Sequence, residues 1–319
     1  MKAVIPGMAI LILVVPTTIL AQDYPVKSIR LLVGFSPGGG TDIAARLAAP
    51  KLSEALGQPV IVENRPGAGT NIANEIVAKA APDGYTLLFG TPPVLINQFL
   101  YKKLPYDGLR DLVGVSLFSI SPNIMAVNSS LPVNSVKEFI TLARAKPGQL
   151  TFSSSGNGST QHLSGELFNL RAKVKTLHVP YKGTSPSLTA LIGGEVDLSY
   201  SSVPPTLPHI KSGRLRPLAT TGPKRSELMP DLPTMRESGV DMEMVVWYGV
   251  FAPSATPRAI IDRLAALLVK IPHSPEMKRR LHDMGAEPVG STPEEFNKQL
   301  RGEVGQWAEI VKSSGAKAD

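Results

Sequence analysis

The sequence predicts an α/β protein with two domains, and three observations carry that prediction. Short apolar strand patterns alternate with helical patterns along the chain, as expected of parallel sheets covered by helices. The length of 319 residues exceeds one ordinary domain of roughly 100–200 residues. A strand, a glycine-rich loop and a helix start also occur twice, in residues 29–47 and 150–170. We therefore expect two α/β units that each carry one such loop.

The first glycine-rich loop follows the apolar strand pattern of residues 29–35. Its residues are Ser36, Pro37, Gly38, Gly39 and Gly40. Glycines let a backbone approach a ligand closely, and the first N–H groups of the following helix have no carbonyl partners of their own. The loop therefore predicts a site for a carboxylate or a phosphate. No lysine follows the loop, as it would in a P-loop nucleotide-binding protein, so a small anion is favoured over a nucleotide.

The second glycine-rich loop follows the strand pattern of residues 150–153 and leads into a helix that carries His162. Its residues are Ser154, Ser155, Gly156, Asn157, Gly158 and Ser159. In open α/β sheets, ligands bind outside the carboxyl ends of the strands, where both loops are predicted to lie. Two such loops in two halves predict a cleft that closes on its ligand.

One proline interrupts the first helical pattern, which runs over residues 42–56. Pro50 lies inside this pattern. A proline in a helix interior removes a hydrogen bond and costs about 3 kcal/mol. The sequence therefore predicts a kink or a break in this helix near Arg46.

Composition and motifs exclude several classes of function. Charged residues make up 18% of the chain with mixed signs, and the densest basic stretch is only residues 278–280, so the net charge of +7 does not predict nucleic-acid binding. The chain has no cysteine, which excludes disulfides, thiol catalysis and zinc–thiolate sites. The five histidines form no H-E-x-x-H motif, and three G-x-G matches lack the last glycine of a dinucleotide site. We expect neither a metal nor a cofactor.

The N-terminal segment predicts export. Lys2 is followed by an apolar stretch over residues 8–15 and by small residues that end at Ala21, which is typical of a signal peptide. We expect cleavage near Ala21 and a soluble protein in a bacterial periplasm, because no second long apolar segment follows.

A serine hydrolase is the alternative function. Residues 34–38 spell G-x-S-x-G between a strand and a helix, but Pro37 has no N–H for an oxyanion hole. The serines of the second loop lie close in sequence to His162, so an exported hydrolase of a small carboxylate ester stays open. Loop hydroxyls serve equally as hydrogen-bond donors to a bound carboxylate, and we favour that use.

Several long stretches resemble one family, the periplasmic solute-binding proteins of tripartite tricarboxylate transporters, also called Bug or TctC-type receptors. The resemblance covers nearly the whole chain after residue 21. It is carried by residues 36–42, 62–69, 80–88, 155–159, 180–183, 193–197 and 247–253. One departure is Gly34-Phe35-Ser36, where the family more often has proline, phenylalanine and proline.

The resemblance implies a type II periplasmic-binding-protein fold, with lobe I in residues 22–123 and 249–319 and lobe II in residues 124–248. It implies a receptor without catalytic activity, expected to be a monomer, which captures a small carboxylate, either a di- or tricarboxylate or an aromatic acid, for two membrane permease subunits. By motif, the ligand contacts fall on both glycine loops and on Thr91, Tyr181, Thr184 and Asp197.

Overall fold

One long strand joins the two halves of the protein in the computed structural model, which describes residues 24–318. The strands are β1 (Ile29–Val33), β2 (Val60–Asn64), β3 (Thr86–Gly90), β4 (Leu112–Asn128), β5 (Thr151–Ser154), β6 (Leu177–Pro180), β7 (Leu198–Ser202), β8 (Leu215–Thr220), β9 (Val245–Pro253) and β10 (Glu287–Pro288). The helices are α1 (Gly40–Leu56), α2 (Asn71–Ala78), α3 (Pro93–Leu100), α4 (Val136–Ala145), α5 (Thr160–Ala172), α6 (Thr184–Gly193), α7 (Val203–Lys211), α8 (Arg258–Leu268), α9 (Pro275–Asp283) and α10 (Pro293–Ser314). The predicted signal peptide lies outside the described residues.

The strands follow the order β2-β1-β3-β9-β4-β7-β5-β6, with β8 and β10 also pairing with β4. The β1–β2, β1–β3, β5–β6 and β5–β7 pairs are parallel, whereas β9 runs antiparallel to β3 and β4. Strand β4 pairs with β9 as far as Pro122 and with β7 from Asn123 onward. We call the half built on β1–β3, β9 and β10 the first lobe, and the half built on β5–β8 the second lobe.

Buried strands and amphipathic helices build the core of each lobe. In β1 only Arg30 is exposed, as expected of a parallel strand covered on both faces. Helix α10 begins with a capping box between Thr292 and Glu295 and packs against α3 of the first lobe and α5 of the second. Within residues 24–318, no helix combines the length and apolarity that crossing a bilayer requires.

Of the kink or break predicted near Arg46, the break does not occur in helix α1. The helix continues from Gly40 to Leu56 with Pro50 inside it. Pro50 and Arg46, whose carbonyl loses its helical partner, both lie on the exposed side of the helix. Water can bond a carbonyl on that side, which lowers the cost of the proline.

Candidate ligand-binding site

A narrow cavity lies between the lobes. Its wall consists of Phe35, Gly39, Gly40, Thr41, Thr91, Pro93, Asn123, Ser155, Ser159, Thr160, Gln161, Thr184, Ser202, Val246 and Tyr248. The wall leaves a volume of about 20 Å³, and a single water needs ~10–15 Å³. The lobes are therefore closed on each other, and a solute of several carbon atoms enters only when they move apart.

Three helices begin at the cavity with free N–H groups. The first backbone hydrogen bond within each helix is donated by the N–H of Ile43 in α1, of Leu163 in α5 and of Ser187 in α6. The N–H groups that precede these residues in each helix therefore have no acceptor within the helix. The starts of all three helices contribute residues to the wall. Because each helix start carries a partial positive charge, their convergence favours an anion.

No residue of the cavity wall carries a formal charge at neutral pH. Hydroxyl groups line it instead, among them Thr41, Thr91, Ser202 and Tyr248. Burial raises the pKa of Tyr248, so its hydroxyl keeps its proton and remains a hydrogen-bond donor. The wall therefore offers neutral donors to a ligand and no counter-ion.

Asp42 fixes the shape of the first glycine loop. Its carboxylate accepts hydrogen bonds from the Gly38 N–H at 2.9 Å, from Arg46 Nε at 3.0 Å and from Asn64 Nδ2 at 2.9 Å. Burial alone would raise the pKa of Asp42, but the bonds from Arg46, Gly38 and Asn64 outweigh it and hold that pKa below its ordinary value. The carboxylate is neutralised by these donors and lies outside the wall.

Gln161 ties the second glycine loop to helix α6. Its side-chain oxygen accepts from the Ser155 N–H at 2.9 Å, and its side-chain nitrogen donates to Thr184 Oγ1 at 2.9 Å. Ser159 caps α5 by accepting from the His162 N–H. These contacts hold two hydroxyl-bearing helix starts in one orientation.

A stacked pair of histidines supports the second loop from behind. The rings of His162 and His178 lie 4.0 Å apart. His162 Nδ1 accepts from the Gly158 N–H at 3.2 Å, and His178 Nε2 lies 2.6 Å from Ser154 Oγ. Burial lowers the pKa of His162 to about 4; burial, with the charge of His162, lowers that of His178 to about 3. Both rings are neutral at neutral pH.

This arrangement does not fit a hydrolase. Ser154 is fully buried and outside the cavity wall, and the His162 nitrogen that faces the loop is bonded to a backbone N–H. The Ser159 hydroxyl bonds the Gly156 carbonyl and caps its own helix.

The structure brings six of the predicted contact residues into the wall: Gly39, Gly40, Thr91, Ser155, Ser159 and Thr184. Eight others lie beside or behind it: Ser36, Pro37, Gly38, Ser154, Gly156, Asn157, Gly158 and Tyr181. Asp197 lies at the opposite edge of the second-lobe sheet, just before β7. There its carboxylate accepts from the Thr151 N–H at 2.8 Å and from Thr151 Oγ1 at 3.1 Å, so the structure does not bring it to the cavity.

Direct contacts between the lobes flank the cavity on two sides. On one side, Ser36 donates both its N–H, at 2.9 Å, and its hydroxyl, at 2.8 Å, to the Lys182 carbonyl. The Ser185 hydroxyl donates to the Pro37 carbonyl at 2.9 Å. On the other side, the lobes approach so closely that a methyl group added at Gly69 would lie 2.3 Å from the Asn157 carbonyl oxygen.

Sequence reasoning missed nine residues of the wall: Phe35, Thr41, Pro93, Asn123, Thr160, Gln161, Ser202, Val246 and Tyr248. For Thr41, Thr160 and Gln161 the signal was available, since each is the first or second residue of a helix that leaves a glycine loop. Val246 and Tyr248 lie on β9, about 90 residues beyond the second loop, and no local pattern links them to the cavity.

Two α/β lobes that close on an uncharged cavity walled by helix starts define a solute-binding protein of the type II periplasmic-binding-protein fold. The chain belongs to the tripartite tricarboxylate transporter family of receptors, TctC, whose model matches residues 44–316. Proteins of this family are solute receptors without catalytic activity, which overturns the hydrolase alternative.

Relatives and solved structures match nearly the whole chain. BugT of Bordetella pertussis is 38% identical over 301 residues, covering 93% of this chain and 92% of BugT. R. palustris Rpa4515 with adipate has a TM-score of 0.90 and 38% identity, covering 92% of this chain and 99% of that one. MatC from Rhodopseudomonas palustris with bound malate has a TM-score of 0.86 and 31% identity, covering 90% and 100%.

Proposed function

We propose that this protein captures a small carboxylate between its lobes in the periplasm and delivers it to the membrane subunits of a tripartite tricarboxylate transporter. The observation that carries the proposal is the convergence of three helix starts on a cavity wall without a charged side chain. Adipate in Rpa4515 and malate in MatC are carboxylates bound by structural neighbours, which supports the same class here.

The site suits a carboxylate in particular. Each helix start offers two or more N–H donors and a partial charge of roughly +0.5, which a carboxylate matches without a lysine or arginine. A cation would find no partner in the wall. A neutral solute would leave the converging helix charges uncompensated.

We assign direct contact to the wall residues of the two loops, together with Thr91 and Thr184. The remaining loop residues and Tyr181 shape or close the site. Asp197 supports the sheet through Thr151.

The mature chain would begin at Gln22 after removal of residues 1–21 and act as a monomer. Lobe I comprises residues 22–123 and 249–319 and lobe II residues 124–248, so closure turns the lobes about β4 and the start of β9. A solute that contacts both lobes shifts the population toward the closed form.

A thermal-shift screen of the mature protein against mono-, di- and tricarboxylic acids and aromatic acids tests the proposal. An acid at about 100 times its Kd is expected to stabilise the protein by roughly 2.7 kcal/mol, while the corresponding amide does not. Equal stabilisation by acid and amide, or by no acid at all, would contradict the proposal.

Gly39→Val provides the matching test of the site. A Cβ at Gly39 would lie 3.5 Å from Thr184 Oγ1, so the added methyl groups would fill the cavity. We expect at least a tenfold loss of affinity for the acid found in the screen, with a small change in melting temperature. Gly305→Val is the control, because a Cβ there meets nothing within 4 Å and the residue is not part of the wall. Unchanged affinity in Gly39→Val would show that the loop is wrongly assigned.

A further inference from the structure

Ser202 occupies the N-cap position of helix α7 but does not cap it. The side chains of four other N-cap residues accept a hydrogen bond from the N–H three positions later: Ser135, Ser159, Ser274 and Thr292. In α7 the second and third positions are Pro204 and Pro205, which have no N–H to donate. The proline pair therefore leaves the Ser202 hydroxyl without its usual partner.

The free hydroxyl of Ser202 lies in the cavity wall. The residue is 3% exposed, and Ser202 Oγ has no hydrogen-bond partner among the described residues. The Tyr248 hydroxyl belongs to a residue of the same wall and forms no hydrogen bond with another described residue. A Cβ added at Gly40 would lie 2.8 Å from Ser202 Oγ and 2.9 Å from the Tyr248 oxygen, so both hydroxyls face the start of α1.

A buried hydroxyl without a partner destabilises a folded protein. The Ser202 hydroxyl, at the end of β7, and the Tyr248 hydroxyl, on β9, are satisfied together if a bound solute places an oxygen between them. Both hydroxyls can donate, and neither carries charge, so a hydroxyl, oxo or carboxylate oxygen fits them equally well. A hydrocarbon end of the solute would leave both donors unpaired and buried.

We propose that Ser202 and Tyr248 form a second polar subsite, which binds an oxygen of the solute other than those of the carboxylate held by the helix starts. The subsite selects acids with a second oxygen function over acids with a hydrocarbon tail. This inference rests on the proposed function, because it concerns the far end of a carboxylate bound in the same cavity.

Two series of acids with matched chain lengths test the inference by calorimetry. The first is butyrate, 4-hydroxybutyrate and succinate, and the second is hexanoate, 6-hydroxyhexanoate and adipate. In at least one series, the native protein is expected to bind an oxygen-ended acid at least tenfold more tightly than the methyl-ended acid. A comparison of the hydroxy acid with the dicarboxylate of the same length shows whether the subsite prefers a hydroxyl or a carboxylate oxygen.

Ser202→Ala and Tyr248→Phe are each expected to lower the affinity for the oxygen-ended acids about fivefold to thirtyfold. The affinity for the methyl-ended acids should stay unchanged. Ser202→Ala removes a hydroxyl that bonds nothing in the protein, so the ligand-free melting temperature stays the same or rises. Ser135→Ala is the matched control. It removes a hydroxyl that caps α4, so the melting temperature falls and acid affinities do not change.

The outcomes separate this inference from the proposed function. If no acid of either series binds the native protein and the wider screen also finds none, the proposed function is wrong and the subsite falls with it. If acids bind but the methyl-ended members bind as tightly as the oxygen-ended ones, the subsite alone is wrong. An equal loss of affinity for all acids in Ser202→Ala would also contradict the subsite.

Discussion

At the scale of single residues, an acidic side chain lies directly beneath a loop that is proposed to bind an anion. Asp42 would repel a carboxylate if its charge were free. Three donors instead hold it away from the cavity, and one of them is the N–H of Gly38 in the loop itself. The residue therefore gives the loop its shape, and the helix start keeps its positive character.

Asp42→Asn is expected to lower the free energy of unfolding by about 1–3 kcal/mol at pH 7, because a charged acceptor of three hydrogen bonds is lost. The folded pKa of Asp42 lies below the unfolded value of about 3.9, so its stabilisation is complete above that pH and lost as the pH falls toward the folded pKa. Urea unfolding at pH 7, 5 and 3.5 measures both effects. The exposed Asp262→Asn is the control, and a difference that persists unchanged at pH 3.5 would contradict this role of Asp42.

The stacked histidines predict a second effect of pH on stability. Here folding favours the neutral form of the side chains, whereas for Asp42 it favours the charged form. Their folded pKa values of about 4 and 3 lie below the ordinary value near 6.5, so the unfolded chain binds protons that the folded protein does not. Stability is therefore complete above about pH 6.5 and falls below it, by about 1.4 kcal/mol per pH unit for each ring. Urea unfolding between pH 7 and 4 should show a smaller slope for His178→Asn than for the native protein. Equal slopes in His178→Asn and in the native protein would show that the pair does not stay neutral.

At the scale of elements, the strand–loop–helix units were predictable from the sequence, whereas their arrangement around one cavity was not. Local patterns predicted both glycine loops, and with them four residues of the cavity wall, because glycines and helix starts are local features. Thr91 and Thr184 were predicted only through the family resemblance. The positions of Ser202 and Tyr248 depend on how β7 and β9 lie in the sheet, which no local pattern encodes. The expected break in α1 failed for a related reason: the cost of Pro50 depends on which side of the helix faces solvent.

Pro50→Ala tests that explanation of the unbroken helix. The variant restores an N–H that can bond the Arg46 carbonyl, and alanine favours a helix interior over proline by about 3 kcal/mol. We expect the free energy of unfolding to rise by about 1–3 kcal/mol in urea, since water already satisfies part of the loss. Pro59→Ala, at an exposed position outside any helix, should give no such gain. If Pro50→Ala does not raise the free energy of unfolding, the Arg46 carbonyl has another partner in the native protein.

At the scale of the whole molecule, closure has a source of stability other than the ligand. The Ser36–Lys182 and Ser185–Pro37 hydrogen bonds join the lobes outside the cavity wall, so they form on closure whether or not a solute is bound. Ser36 can form its backbone bond because serine, unlike proline, has a backbone N–H. These bonds stabilise the closed form independently of a solute, and a bound solute adds to that stabilisation.

The double variant Ser36→Ala, Ser185→Ala removes two side-chain hydrogen bonds between the lobes and keeps the backbone bond of Ser36. At roughly 0.5–1.5 kcal/mol for each bond, the ratio of closed to open ligand-free protein should fall about fivefold to 150-fold. The chain has no cysteine, so cysteines introduced at Ala81 and Ala145, one in each lobe, can carry a pair of dyes for energy-transfer measurements. Ser129→Ala is the control, because its hydroxyl bonds the Gly213 carbonyl within the second lobe. Because the open protein releases its solute, the solute should also dissociate faster from the double variant. A closed fraction equal to that of the native protein would show that these bonds do not hold the lobes together.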